Sequence, residues 1–217
     1  MNLVGILAAS TRSVVLVEGE SDRAAVETLA ARRGLPLPDL GVQVVAMGGI
    51  TNIGHHLLAL VDRPPVDHSL VDQAQADQAP ADPPPGDRSV RLGGLYDAAE
   101  ERYVIKGLDR VGLRPFDATT PLTELGFFRC DRDLEDELIR AVGIDGFLAL
   151  IDAEGELRSF ERLQGQPAQR DRTTTQHLHR FIGSKGGRKE RYGRRLAEVL
   201  PLDRVPAPLD ALLRWAT

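Results

Sequence analysis

The 217-residue sequence predicts an α/β fold, a mainly parallel sheet flanked by helices with a C-terminal helical extension. Three observations carry that expectation. Short β-branched or apolar runs alternate with stretches of helix formers, the pattern of strand–helix units that feed a parallel sheet. The runs are apolar throughout rather than alternating with polar residues, as strands covered on both faces must be. A hydrophobic content of 42% supports one sizeable core in a chain of about single-domain length.

The first run, residues 14–17 (Val-Val-Leu-Val), ends at Glu18-Gly19. A helix is expected next, with Ser21 or Asp22 available as its cap and Ala24, Ala25, Leu29 and Ala30 inside it, until Gly34 and Pro36 stop it. Residues 42–47 read as a second strand, Gly48-Gly49 as its tight exit and residues 52–61 as a second helix. Residues 90–96 form a third strand that ends in Asp97 and feeds a helix through Val111, with Val104, Ile105 and Leu108 on its apolar side. Residues 125–130 are a fourth strand, and Asp131-Arg132-Asp133-Leu134-Glu135-Asp136-Glu137 opens the helix after it. Further helical stretches are expected over 155–165 and 173–200, followed by a Pro-punctuated tail at 205–209.

Between the second helix and the third strand the pattern breaks. Asp62, Asp67, Asp72, Asp77, Asp82 and Asp87 recur every five residues among Pro, Gln and Ala. A pentapeptide β-helix would need large apolar residues facing inward, whereas Arg, His, Gln, Gln, Pro and Arg follow the six aspartates. An expanded, disordered linker fits that composition. The organisation expected is therefore one α/β unit in two parts, 1–61 and 90–150, a linker over 62–89, and a C-terminal helical region over 151–217.

Composition narrows the function classes. A single Cys130 excludes an intrachain disulfide, and no apolar run approaches the roughly 20 residues that cross a bilayer. With no charged start or long apolar stretch at the N-terminus, a cytoplasmic protein without a membrane partner is expected. The net charge of −5 argues against a general nucleic-acid coat, but residues 158–195 hold eleven Arg or Lys against Glu161, Asp171 and Glu190. Such a stretch is either a solvated helix surface or a phosphate-binding face.

Three strands end in carboxylates: Glu18, Asp97 and the Asp133/Glu135 cluster. Parallel strands share one carboxyl edge, where folds of this class place their sites. Acids brought together there repel unless a cation sits among them, and hard oxygen donors select Mg²⁺ or Mn²⁺. The competing explanation is that each acid merely caps the following helix or favours its positive end. Glu18 resists it best, because Ser21 and Asp22 can cap without it. His55 and His56 lack Cys partners or zinc spacing and read as packing or surface residues. Residues 183–187 (Gly-Ser-Lys-Gly-Gly) lack full P-loop spacing, whereas Gly48-Gly49-Ile50-Thr51-Asn52 suits a site-edge loop ahead of a helix.

The string Val-Leu-Val-Glu18-Gly19-Glu20-Ser21-Asp22, with a Gly-rich second turn and the later acid-ended strand, resembles the Rossmann-like TOPRIM domain of topoisomerases, primases and related nucleases. Together with Leu95-Tyr96-Asp97, the Asp133–Glu137 acids and the late basic helix, it resembles most closely the TOPRIM part of the OLD (overcoming lysogenization defect) nucleases. The resemblance covers most of the chain outside the linker. It implies Glu18, Asp22, Asp97 and Glu135 as metal ligands. Ala99 stands where the second aspartate of an Asp-x-Asp motif belongs, so Glu100 or Asp133 must complete the shell, and of two expected ions the second is in doubt.

OLD-type nucleases are similar also in placing a lysine near the metals, ahead of a small residue on a helix. Lys189, with Gly193 four residues on, fits, and Lys185 competes. The implied function is Mg²⁺/Mn²⁺-dependent endonuclease cleavage of nucleic acid, DNA rather than RNA. Glu18 and Lys189 would act in catalysis, and Lys185, Arg188 and Arg191 would hold the backbone. Full OLD proteins carry an ATPase, and with no P-loop here a separate ATPase chain is an expected partner, self-association being a further option. The alternatives are a TOPRIM nucleotidyl transferase and a non-catalytic module that binds nucleic acid or a partner.

Overall fold

The computed structural model describes residues 8, 10–61, 90–114 and 119–217. Four parallel strands, β1 (Ser13–Val17), β2 (Val42–Ala46), β3 (Arg91–Asp97) and β4 (Phe127–Cys130), form one sheet in the order β2-β1-β3-β4. The expected linker over 62–89, with its pentad repeat, lies outside the described residues.

Strand β1 is buried along its whole length. Its side chains alternate between two cores, as a period of two demands. Val14 and Leu16 face α2 (Ile53–Val61) and α3 (Glu101–Arg110), meeting Leu57, Val104 and Leu108. Val15 and Val17 face the other layer, which begins with α1 (Glu20–Arg32) and α4 (Leu134–Val142). The C-terminal helices α5 (Ile144–Ala153), α6 (Leu157–Gln164), α7 (Thr174–Ile182), α8 (Arg188–Val199) and α9 (Ala207–Ala216) share that second core through Phe147, Phe160, Phe181, Tyr192 and Leu212.

Three elements depart from expectation. Residues 173–200 are two helices, because Gly183 and Gly187 bracket a break and Gly187 adopts a left-handed conformation at the start of α8. Helix α5 forms over a short apolar segment that carries no strong periodic signal. The expected tail is helix α9, whose Pro206 cap and Pro208 in the first turn are favourable starts, since a first-turn proline forfeits no helical hydrogen bond. Arg91 on β3 donates to the Trp215 and Ala216 carbonyls at 2.9 and 3.1 Å, satisfying the end of α9. Trp215 lies in a slot that only glycine permits. A Cβ on Gly93 or Gly126 would stand 2.6 or 2.5 Å from its ring.

The strand order reverses direction between β1 and β3, since the chain moves outward from β1 to β2 and then returns to the far side of β1. The carboxyl ends of β1 and β3 consequently flank the crevice that such a reversal opens. Glu18 follows one end and Asp97 closes the other.

Candidate metal centre

Glu18 is handed to the loop ahead of α1, and its carbonyl accepts from the Gly49 amide at 3.0 Å, so the Gly48-Gly49 exit of β2 backs this edge of the site. Asp97 begins a 3₁₀ turn over Ala98–Glu100, but its side chain makes no capping hydrogen bond. Helix capping therefore does not account for it. The turn brings Glu100 round to the same edge, and Glu18, Asp97 and Glu100 each present a carboxylate oxygen within 4.8 Å of the others. Glu100 thus stands beside Glu18 and Asp97 at the edge where Ala99 offers no acid.

These acids are held at a cost. Burial, then Glu100, Asp133, Glu18 and Asp22, push the Asp97 carboxyl up to about 8. Burial and Glu18 raise Glu100 as well. Glu100 Oε2 is buried with no hydrogen-bond partner among the described residues, although an unsatisfied buried polar atom ordinarily costs about 1–3 kcal/mol. An acidic cluster in which Asp97 and Glu100 are raised, with oxygen donors only and one orphaned oxygen, is a donor set suited to a hard divalent cation, and it could hold one.

A second pair of acids adjoins the first. Asp22 Oδ2 accepts the Gly19 amide at 2.9 Å, and burial followed by Glu135 pushes its carboxyl up to about 7. The Ser21 hydroxyl, an expected cap, instead donates to Glu135 Oε1 at 3.1 Å across 114 residues of sequence. Lys189 Nζ reaches that same oxygen at 3.1 Å. Burial opposes the Lys189 charge, but Glu135, Asp22 and Glu18 outweigh it and hold the ammonium above the ordinary lysine range.

The position of Lys189 follows from Gly193. A Cβ there would stand 2.6 Å from the Ser21 carbonyl oxygen, so only glycine lets α8 lie against the first turn of α1. Lys189, four residues earlier, falls on the same helix face one turn back, over Ser21 and Glu135. At the other end Arg32 donates to the Ala197 and Leu200 carbonyls at 2.7 and 2.6 Å. Helix α8 is pinned to α1 at both ends.

The remaining expected residues are otherwise engaged. Asp133 caps α4, accepting from the Asp136 amide at 2.7 Å, while still adding repulsion at Asp97. Asp136 binds His179 and Arg140, and Glu137 binds Arg140 and the Asp131 amide. Of that acid run Glu135 alone meets Ser21 and Lys189. Arg188 and Arg191 both bind Glu156, joined by the Tyr192 hydroxyl, a knot that sequence reasoning missed because its partners lie more than thirty residues apart. Lys185 lies ahead of α8, in a hollow with Arg162, Arg180 and Arg188 that none of the acids lines. His56 packs near the Met47 carbonyl, as a structural histidine would. A cavity of about 960 Å³ under the amino-terminal end of the sheet, lined by Leu35, Pro36 and Val42, contains none of the acids.

Residues 11–63 match the family model for the TOPRIM domain of overcoming lysogenization defect-like proteins. The fold is that of the C-terminal region of the Xanthomonas campestris pv. campestris OLD protein, solved with mercury phasing: TM-score 0.63, 23% identity, covering 95% of this chain and 94% of that one. The C-terminal region of the Burkholderia pseudomallei OLD protein is similar at TM-score 0.62 and 21% identity, covering 95% of this chain and 96% of that one. No curated protein matches the chain. No helix among the described residues is long and apolar enough to cross a membrane.

Proposed function

We propose that the chain is an OLD-like TOPRIM domain and a divalent-metal-dependent nuclease hydrolysing phosphodiester bonds, in DNA rather than RNA. One observation carries the reading: three carboxylates from two strand ends converge within 4.8 Å, and a buried oxygen of Glu100 has no partner within the described chain. Structural acids are normally paired or capping. Asp97 and Glu100 do neither.

In this reading Glu18, Asp97 and Glu100 hold one ion, Mg²⁺ or Mn²⁺, and Asp22 with Glu135 are the acids for a second. The cation supplies Lewis-acid polarisation of a phosphoryl oxygen and offsets the charge of the acids. The chain's own residues do the rest. The Ser21 hydroxyl and the Lys189 ammonium fix the orientation of Glu135 through one oxygen, and the other has no partner among the described residues. Lys189, half-exposed on its outer side, offsets the negative charge that builds on phosphorus as water attacks in line, a role typically worth about 2.7–4 kcal/mol.

The solved structures of this fold are C-terminal regions of OLD proteins, and the proposal takes an ATPase as the partner that would load or gate the substrate. The test is a cleavage assay on plasmid DNA, linear DNA and RNA with Mg²⁺ or Mn²⁺, comparing wild type with Glu18→Ala and Asp97→Ala, alone and with an ATPase partner added. The reading expects metal-dependent cleavage of DNA that both substitutions abolish. Cleavage surviving both, or primer synthesis from labelled nucleotides in place of cleavage, overturns it.

A further inference from the structure

The start of α8 carries a second collection of charge, apart from the acids. A hollow of about 540 Å³ between α6, α7 and the start of α8 is lined by Arg162, Arg180, Lys185 and Arg188, with Gln166 and Ser184 as further polar groups and no carboxylate. The four cations come from three segments that the fold must bring together, so their proximity is not a run along one helix face. Arg162, Arg180 and Lys185 have no ion-pair partner among the described residues, although Arg191 and Arg195 on α8 both pair with Glu154. Arg162 also borders a neighbouring hollow that contains Arg158 and Glu161.

Arg188 supplies the independent observation. Its residue is only 6% exposed, and its guanidinium lies 4.0 Å from the Phe181 ring centroid. Its terminal nitrogens donate to Glu156, Ser184 and the Phe181 carbonyl, which fixes the plane of the group. Nε remains buried and without a partner among the described residues. Glu156 neutralises one charge in the hollow, and three are left unopposed. A group that is small, multiply charged and rich in acceptors satisfies such a set, and phosphate is the biological anion that does so, arginine forks matching its geometry.

The geometry points to a phosphate-binding site in this hollow, formed by Arg162, Arg180, Lys185 and Arg188, that holds a phosphoryl group away from the acid cluster. It rests on the nuclease reading only for the carrier, a nucleic-acid strand. Arg188 and Lys189 are consecutive residues on one helix and point about 100° apart, Arg188 to the hollow and Lys189 to Glu135, so the two sites flank the start of α8. The hollow would anchor a phosphate there and set the register of the strand.

The experiment measures equilibrium binding of a fluorescent single-stranded oligonucleotide, with and without a 5′-phosphate, to the full chain in EDTA across a salt series, with inorganic phosphate as competitor. The variants are Arg162→Gln/Arg180→Gln and Lys185→Gln, all exposed positions, and Arg110→Gln on the opposite layer as control. The double variant should lose about tenfold or more in affinity and lower the salt slope by about one for each phosphate no longer held, with Arg110→Gln unchanged. Loss confined to the 5′-phosphorylated oligonucleotide supports the site and assigns it to strand ends. If the variants lose only inorganic phosphate, measured by ³¹P NMR, the site stands and its ligand is free phosphate. Wild-type affinity and slope in the double variant, with phosphate binding also unchanged, overturn the proposal. Because every arm runs without metal, failure of the nuclease reading leaves these outcomes readable.

Discussion

In Gly193→Ala the added methyl carbon would stand 2.6 Å from the Ser21 carbonyl oxygen and 3.2 Å from its carbon, both backbone atoms that cannot swing aside. Ordinary contact begins at 3.4 Å, so α8 must move about 0.8 Å from α1. Overpacking of this kind costs about 1–3 kcal/mol, and the better helix propensity of alanine returns about 1. The net loss of about 0–2 kcal/mol lowers Tm by a few degrees at this chain length, and the protein stays folded. The same displacement takes Lys189 Nζ from 3.1 Å to about 3.9 Å from Glu135 Oε1, beyond hydrogen-bonding reach. A misplacement near 1 Å in a catalytic constellation costs on the order of 10²-fold in rate. Single-turnover cleavage together with thermal melting reads both effects, with Gly186→Ala, which meets no atom within 4 Å, as control. Since Gly193 acts through Lys189, Gly193→Ala/Lys189→Ala should be no slower than Lys189→Ala. Wild-type rate and Tm in Gly193→Ala would refute the packing argument, and additive losses in the double variant would refute the link to Lys189.

Asp22 and Asp97, raised to about 7 and about 8, hold their protons more tightly folded than unfolded. Without metal, their contribution to stability is complete below the usual carboxylate range and is lost as pH rises through those values, while a bound cation reverses the trend. Melting with and without Mn²⁺ between pH about 6 and about 9 should show a stabilisation that grows with pH; one independent of pH would contradict it. Asp97→Asn should raise the metal-free Tm at alkaline pH while abolishing cleavage, and a lowered Tm there would argue against repulsion in the cluster. Arg188→Met removes a buried partner of Glu156, which keeps Arg191 and Tyr192, so a loss of about 2–3 kcal/mol is expected by denaturant titration. Arg188→Lys should not restore it, because one ammonium cannot reach Glu156, Ser184 and the Phe181 carbonyl together.

Glu18 and Asp97 were legible because a parallel strand that stops at an acid announces both its face and its edge before any contact is known. Glu100 was legible only as a substitute for the acid missing at Ala99, and the 3₁₀ turn that delivers it is a tertiary accommodation with no sequence signature of its own. Ser21 illustrates the limit. A serine at a helix start has the same local appearance whether it caps or, as here, reaches Glu135. Helix α9 was hidden behind two prolines that read as a tail but sit where helices begin. The basic stretch of residues 158–195 was visible as charge, yet its division into a knot around Glu156, a lysine over the acids and a separate hollow depends on how α6, α7 and α8 pack.

The proposed chemistry depends on a cation held by Glu18, Asp97 and Glu100, and Mn²⁺ binding followed by electron paramagnetic resonance tests that most directly. Wild type should bind at least one ion per chain with affinity rising from pH about 6 to about 8. Glu18→Gln and Asp97→Asn should each lose that ion while keeping the circular dichroism of the wild type. Mn²⁺ bound equally well by either variant, or not bound by the wild type, would contradict the metal-centre assignment.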